Sequence, residues 1–147
     1  MARELPGAVL FACTHNSIRS PMAEAYLKFL HGRQVFVDSV GLRAREIDGF
    51  AVAVMQEIGI DLTRHRAKTF DQLEDSSFDL VVTLSPEAQH RAIELTRTMA
   101  CDVEFWNTFD PSVVEGSRAE RLEAYRQVRD TLVQRIKERF PPPLKPA

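Results

Sequence analysis

Short apolar runs alternate along the chain with polar stretches that contain helix-start and helix-stop residues. The runs at 8–12, 35–40, 79–84 and 103–106 are typical of strands, the first of them covered on both faces. Helices are predicted from Ser20 to about His31, from Phe50 to Ile58, from Pro86 to about Thr98, and from Ser117 onward. This alternation predicts a single α/β domain of three layers, in which a four-stranded parallel sheet has helices on both faces.

The first and the last helix have the clearest capping residues in the sequence. Ser20 is expected to cap the first helix, with Pro21 at its first position and Gly32 after its last turn. The last helix begins with the spacing of a capping box, Ser117 to Glu120. It then presents one apolar stripe, formed by Leu122, Tyr125, Val128, Leu132, Ile136 and Phe140.

Length and composition are those of one globular domain, with 147 residues, 44% hydrophobic and 27% charged. Three prolines end the last helix, so a domain over 1–140 and an extended, loosely held proline-rich tail over 141–147 are expected. A net charge of -2 does not favour binding to nucleic acid. No apolar run reaches the roughly 18 residues of a membrane span. A soluble, cytoplasmic protein is therefore expected, with neither nucleic acid nor a membrane as partner.

Only two cysteines are present, Cys13 and Cys101. They are too few for a disulfide framework, and no Cys/His spacing resembles a zinc site. Both thiols are expected to be reduced, and no metal site is predicted. Cys101 is interpreted as a buried strand thiol, with a redox role as the alternative.

The segment after the first strand gives the strongest chemical signal: Cys-Thr-His-Asn-Ser-Ile-Arg-Ser, at residues 13–20. It joins a strand to a helix, where backbone N–H groups and a helix N-terminus form an anion site. Beside them, Cys13 is expected to be a thiolate able to attack phosphorus, and Arg19 to hold two phosphoryl oxygens. Ser20 is placed to hydrogen-bond the sulfur. The alternative, a buried cysteine and a surface arginine, does not account for the flanking strand and helix.

The segment VLFACTHNSIRSPMAEA resembles the phosphate-binding loop of low-molecular-weight protein tyrosine phosphatases, which share their fold and loop with thioredoxin-coupled arsenate reductases. The resemblance extends from about residue 9 to residue 140 and includes the aspartate-proline motif at Asp110. It implies that Asp110 is the general acid and then the general base, that Cys13 and Arg19 are the other catalytic residues, and that neither a metal nor a cofactor is needed. The phosphate-binding residues would be Thr14, His15, Asn16, Ser17, Ile18, Arg19 and Ser20.

The same resemblance implies a hydrogen-bond network that holds this loop in shape, formed by Asn16, Ser20, Ser39 and His65. Asparagine suits such a loop because it tolerates a positive φ. The expected function is hydrolysis of phosphotyrosine or aryl phosphates through a phosphocysteine. The substrate would be a phosphorylated protein or a small aryl phosphate, and inorganic phosphate or sulfate should also bind in the loop.

Several positions depart from the phosphatase pattern. His15 stands where glycine is common and could strain the loop, Ile18 replaces a second cysteine, and Ser-Val-Val at 112–114 replaces tyrosines. Two alternatives stay open. An arsenate reductase of the same fold, which Trp106 favours, needs further thiols, yet Ser85 stands at the second thiol position. A non-catalytic phosphate- or phosphotyrosine-binding module is the other alternative, suggested by His15.

Overall fold

A computed structural model describes residues 5–74 and 77–142. Within them the strands are β1 (Ala8–Cys13), β2 (Phe36–Gly41), β3 (Leu80–Thr83) and β4 (Asp102–Phe105), and the helices are α1 (Arg19–His31), α2 (Gly49–Gln56), α3 (Pro86–Leu95) and α4 (Arg118–Arg139). These four described strands form one parallel sheet in the order β2-β1-β3-β4. The predicted fold class is confirmed.

The alternation of side chains along β1 separates two hydrophobic cores. Val9 and Phe11 point into the larger core, together with α1, α2 and α4. Leu10 and Ala12 point into the smaller core on the other face, which α3 covers. Helices therefore cover both faces, as the buried apolar run of β1 requires.

The beginning of α1 differs from the prediction. The helix starts at Arg19 after Ile18, whose side chain makes no capping bond, so Ser20 is not the cap and Pro21 is the third residue of the helix. The Ser20 hydroxyl instead faces the sulfur of Cys13. Local capping rules assigned Ser20 to the backbone, whereas tertiary packing engages it with the loop.

The other boundaries are close to those expected. The capping box of α4 is formed by Ser117 and Glu120. The predicted α4 stripe is confirmed, because Tyr125, Val128, Leu132, Ile136 and Phe140 are buried and Leu122 packs against the same core. The third helix ends at Leu95, and turns replace its predicted last residues.

The predicted division into a domain over 1–140 and a tail over 141–147 stays a prediction, because residues 143–147 and 1–4 lie outside the described part. None of the helices within 5–74 and 77–142 has the length and apolar character needed to cross a membrane.

Candidate active site

A cleft of about 120 Å³ opens at the carboxyl end of β1, over the loop that leads into α1. Cys13, Arg19 and Asp110 all line it, although Asp110 is 91 residues away from Arg19 in the sequence. His15, Ser17 and Ile18 of the loop line it as well. The structure thus brings the three predicted catalytic residues to one place.

The sulfur of Cys13 lies 2.8 Å from the hydroxyl oxygen of Ser20, within hydrogen-bond range. The same oxygen accepts a hydrogen bond of 2.9 Å from the side-chain amide of Asn16. The Ser20 hydroxyl also lies 3.4 Å from the carbonyl oxygen of Val40, a longer contact than the one to the sulfur. A thiolate at Cys13 would compete well for its proton, because charge-assisted hydrogen bonds are the strong ones.

Asn16 holds the loop from inside. It is fully buried and has a φ of 52°, in the left-handed region. Its Nδ2 donates to Ser20 and also to Ser39, at 2.9 Å. Its Oδ1 accepts from the backbone N–H of Lys68 at 3.0 Å and from Nε2 of His65 at 3.1 Å. The four residues expected to support the loop are therefore joined in one network.

Glu24 completes this network and was missed by the sequence analysis. Its carboxylate accepts a hydrogen bond from Ser39 at 2.5 Å, pairs with Lys28, and lies 3.8 Å from Nδ1 of His65. The available signal was its position four residues after Ser20, which places both on one face of α1. Burial lowers the pKa of His65 below its usual range, and the charge of Glu24 opposes this shift.

Backbone hydrogen bonds attach the loop to the segment that follows β2. N–H groups of residues 43, 45 and 48 donate to the carbonyl oxygens of residues 14, 15 and 17, at 3.0 to 3.1 Å. Gly41 permits this close approach, since a Cβ there would lie 2.6 Å from the carbonyl oxygen of Arg43 and 2.7 Å from the nitrogen of Asn16. Gly41 is a second supporting residue that sequence reasoning did not find.

Arg19 is held at both ends of its guanidinium. Nη1 donates to the backbone oxygen of Thr108 at 3.0 Å, and Nη2 donates to the hydroxyl of Thr14 at 3.4 Å. Thr14 in turn donates to Ser85, the cap of α3. These contacts orient the arginine and tie it to the segment that leads to Asp110.

That segment lies alongside the end of β3. The N–H groups of Trp106 and Thr108 donate to the carbonyl oxygens of Thr83 and Leu84, at 2.8 and 3.0 Å. Trp106 is buried in the larger core, where its ring meets that of Phe11 edge-on. The buried Trp106 side chain and these backbone bonds therefore fix the position of the segment that ends at Asp110, beside the cleft.

Asp110 is the last residue of this segment and caps the short 3₁₀ helix Pro111–Val113 that follows it. Its Oδ1 accepts hydrogen bonds from the nitrogen of Ser112 at 3.0 Å and from its hydroxyl at 2.7 Å. The carboxylate is only partly buried and lines the cleft together with Cys13.

His15 lies at the mouth of the cleft among other charges. Burial, followed by the positive charge of Arg45, lowers the pKa of its imidazole below the usual range, and Asp110 acts in the opposite direction. A neutral ring is therefore favoured at neutral pH. His15 therefore adds no positive charge to the cleft that it lines.

Cys101 is distant from this site. It precedes β4, whose residue Asp102 is in register with Leu80 of β3 and, through it, with Val9 of β1. Strand spacing and rise then put its Cα about 19 Å from that of Cys13, far beyond the about 7 Å limit for a disulfide. Both thiols are free, and burial raises the pKa of Cys101. Within 5–74 and 77–142, no cluster of three or more His, Cys, Asp or Glu side chains could hold a metal ion.

A family model described as low molecular weight phosphotyrosine protein phosphatase matches residues 8–140. This chain belongs to that family. The match covers the loop at 13–20, the network behind it and the aspartate segment, and it confirms the resemblance inferred from the loop.

Individual relatives differ in their named activities. The arsenate reductase of Halalkalibacterium halodurans is 38% identical over 130 residues, which cover 88% of this chain and 91% of that protein. The crystal structure of a low molecular weight protein tyrosine phosphatase from T. tengcongensis superposes with a TM-score of 0.74 at 27% identity, over 89% of this chain and 95% of that one. The structure of an arginine phosphatase mutant with a phosphorylated active-site serine superposes with a TM-score of 0.68 at 27% identity, over 86% of this chain and 89% of that one. The chain is therefore an enzyme of this superfamily, whose members have more than one named activity.

Proposed function

We propose that this protein hydrolyses phosphate monoesters of the phosphotyrosine or aryl type through a phosphocysteine intermediate. The observation that supports this most is that Cys13, Arg19 and Asp110 line one cleft, with a hydroxyl 2.8 Å from the sulfur. These are a nucleophile, a phosphate-binding cation and a proton donor, which together are sufficient for a two-step displacement at phosphorus.

In the first step, the loop N–H groups and the Arg19 guanidinium bind the phosphoryl oxygens. The Cys13 thiolate attacks phosphorus, a sulfur–phosphorus bond forms, and the bond to the leaving oxygen breaks. Asp110 gives its proton to that oxygen. Because Thr108 and Thr14 hold the guanidinium on two sides, Arg19 is preorganised for the charge that spreads over the equatorial oxygens.

In the second step, the Asp110 carboxylate accepts a proton from water as the water oxygen attacks phosphorus. The sulfur–phosphorus bond breaks, and inorganic phosphate leaves. The Cys13 thiolate is regenerated as the leaving group, and the nearby Ser20 hydroxyl stabilises its charge. The relative with a phosphorylated active-site serine supports an enzyme-bound phosphoryl intermediate of this kind.

Arsenate reduction is the second candidate, because relatives such as the H. halodurans protein bear that name. Such chemistry would need a second thiol able to reach Cys13. Ser85 is the cap of α3, and Cys101 lies at the other end of the sheet on a different face. The placement of the two thiols therefore favours the phosphatase.

The test is metal-free hydrolysis of p-nitrophenyl phosphate by the wild type, Cys13→Ser, Asp110→Asn and Cys101→Ser. We expect no turnover by Cys13→Ser, and a kcat lower by about 10²- to 10⁴-fold in Asp110→Asn, the usual contribution of a general acid. Cys101→Ser should be as active as the wild type. Mass spectrometry of the acid-quenched wild type should detect one phosphoryl group on Cys13.

Parallel assays address the alternatives. Arsenate turnover driven by thioredoxin, if lost in Cys101→Ser, would establish the reductase. Phosphate binding without turnover by the wild type, with activity gained by His15→Gly, would establish the binding module. The second result would refute the phosphatase, and the first would do so if the wild type also failed to hydrolyse p-nitrophenyl phosphate.

A further inference from the structure

A shallow groove of about 480 Å³ begins at the mouth of the catalytic cleft. Arg45 and Glu46 line both the groove and the cleft, so the two are adjacent. Arg66, with Ile47 and other residues, lines the rest of the groove. A group that extends from a phosphate bound over Cys13 can enter this groove.

The groove has a net positive charge, since Arg45 and Arg66 line it together with one carboxylate, that of Glu46. Arg45 and Arg66 of the groove make no ion pair with any residue in 5–74 or 77–142, nor does Arg43, which does not line the groove, and all three are exposed. Arg91, Arg126, Arg129 and Arg139 each have carboxylate partners, whereas Arg64 and Arg97 have none among the described residues. The position beside the cleft, and not the missing partner alone, therefore distinguishes the groove arginines. An unpaired guanidinium at a rim is available to a carboxylate of a ligand.

Backbone hydrogen bonds hold two of these arginines in place. The N–H groups of Arg43 and Arg45 donate to loop carbonyls at 3.0 and 3.1 Å, so their positions follow that of the phosphate-binding loop. Their charges reach the cleft, because both lower the pKa of His15. Glu46 is the acidic residue of the groove and reduces its positive charge by one.

We infer that the groove lined by Arg45 and Arg66 binds acidic side chains that flank the phosphorylated residue of a polypeptide substrate. The inference rests on the proposed function and narrows its substrate class. Phosphate in the cleft and a carboxylate in the groove are then recognised together. A small aryl phosphate uses the cleft alone.

The experiment compares three phosphotyrosine peptides that are identical except for glutamate, glutamine or lysine on both sides of the phosphotyrosine. For the wild type, we expect kcat/KM for the glutamate peptide to exceed that for the glutamine peptide by about 1.4- to 5-fold per arginine engaged, the range for exposed ion pairs. The lysine peptide should be the poorest substrate. The preference should disappear near 1 M salt, where the Debye length falls to about 3 Å.

Variants assign the preference to the groove. Arg66→Gln should weaken it while p-nitrophenyl phosphate hydrolysis is unchanged, and Arg45→Gln with Arg66→Gln should abolish it. Reversing both charges to glutamate should make the lysine peptide the best substrate. Glu46→Gln should strengthen the preference for glutamate. Arg97→Gln is the control, because Arg97 is an exposed arginine at the opposite end of the sheet and should have no effect.

The outcomes separate this inference from the proposed function. Equal kcat/KM for the three peptides, with normal p-nitrophenyl phosphate hydrolysis, would overturn the inference and leave the phosphatase intact. The same holds if the preference survives charge reversal at both arginines. No hydrolysis of any ester would refute the proposed function itself, and this substrate class with it.

Discussion

Asn16→Ala tests the network behind the loop most directly. The side-chain amide makes hydrogen bonds with Ser20, Ser39, His65 and the backbone of Lys68, and no part of Asn16 is exposed. Alanine removes all of these bonds from a site that water cannot readily refill. It must also adopt the φ of 52°, which alanine disfavours.

The magnitude follows from these contacts. Each buried hydrogen bond is worth about 1 kcal/mol net, and the left-handed region costs alanine about 1 kcal/mol more than asparagine, which tolerates it. Losing the four bonds and adding the strain should lower the free energy of unfolding by about 5 kcal/mol. This is a large part of the about 5 to 15 kcal/mol typical of a domain.

Urea unfolding and p-nitrophenyl phosphate kinetics measure the two consequences. Asn16→Ala should lower the urea midpoint with little change in slope, and kcat should fall because Ser20 loses the partner that orients its hydroxyl toward Cys13. Asn16→Gly removes the same bonds without the strain, so it should be about 1 kcal/mol more stable than Asn16→Ala.

Asn107→Ala is the matched control, because Asn107 is exposed and should change stability by no more than about 0.5 kcal/mol. A loss below about 1 kcal/mol in Asn16→Ala, or an unchanged kcat, would refute the idea that this network supports the loop.

Three further variants test other parts of the site. Gly41→Ala should push the Asn16 backbone away and lower kcat/KM for p-nitrophenyl phosphate at least tenfold, and activity at the wild-type level would show that the loop can move aside. Trp106→Ala should lower the free energy of unfolding in urea by about 3 to 5 kcal/mol, the cost of a large buried cavity, and a loss under 1 kcal/mol would contradict its anchoring role. Burial lowers the pKa of His65 from 6.5, so below that pH the unfolded chain binds more protons, and stability is lost as the pH falls through the folded pKa. His65→Gln should therefore lose less stability than the wild type between pH 7.5 and pH 5, and equal losses in urea titrations would argue against this.

Ser20 is a residue whose role local capping rules predict incorrectly. A serine before a proline is a good helix cap by local criteria, and the helix was predicted at almost the right place. Its hydroxyl instead contacts Cys13 and Asn16, because the loop folds back over the first turn of α1. A capping rule considers only neighbouring residues and cannot register a partner that the fold supplies.

Glu24 and Thr108 show a related limit. Both orient site residues, Glu24 through Ser39 and Thr108 through the guanidinium of Arg19. In the sequence one is an ordinary helix carboxylate and the other contributes only a backbone oxygen. No pattern of residue types marks a backbone acceptor 89 positions away from its donor.

The class of fold and the central motif of the site can be predicted from local patterns in the sequence. Buried strands need continuous apolar runs, helices need caps and stripes, and a Cys-to-Arg loop between a strand and a helix is a local chemical arrangement. The order of the strands, the network behind Asn16, the arrival of Asp110 in the cleft and the separation of Cys101 from Cys13 were decided only by the tertiary structure. The physical reason is that these features depend on contacts between segments far apart in the chain, which form only when both cores pack against the sheet.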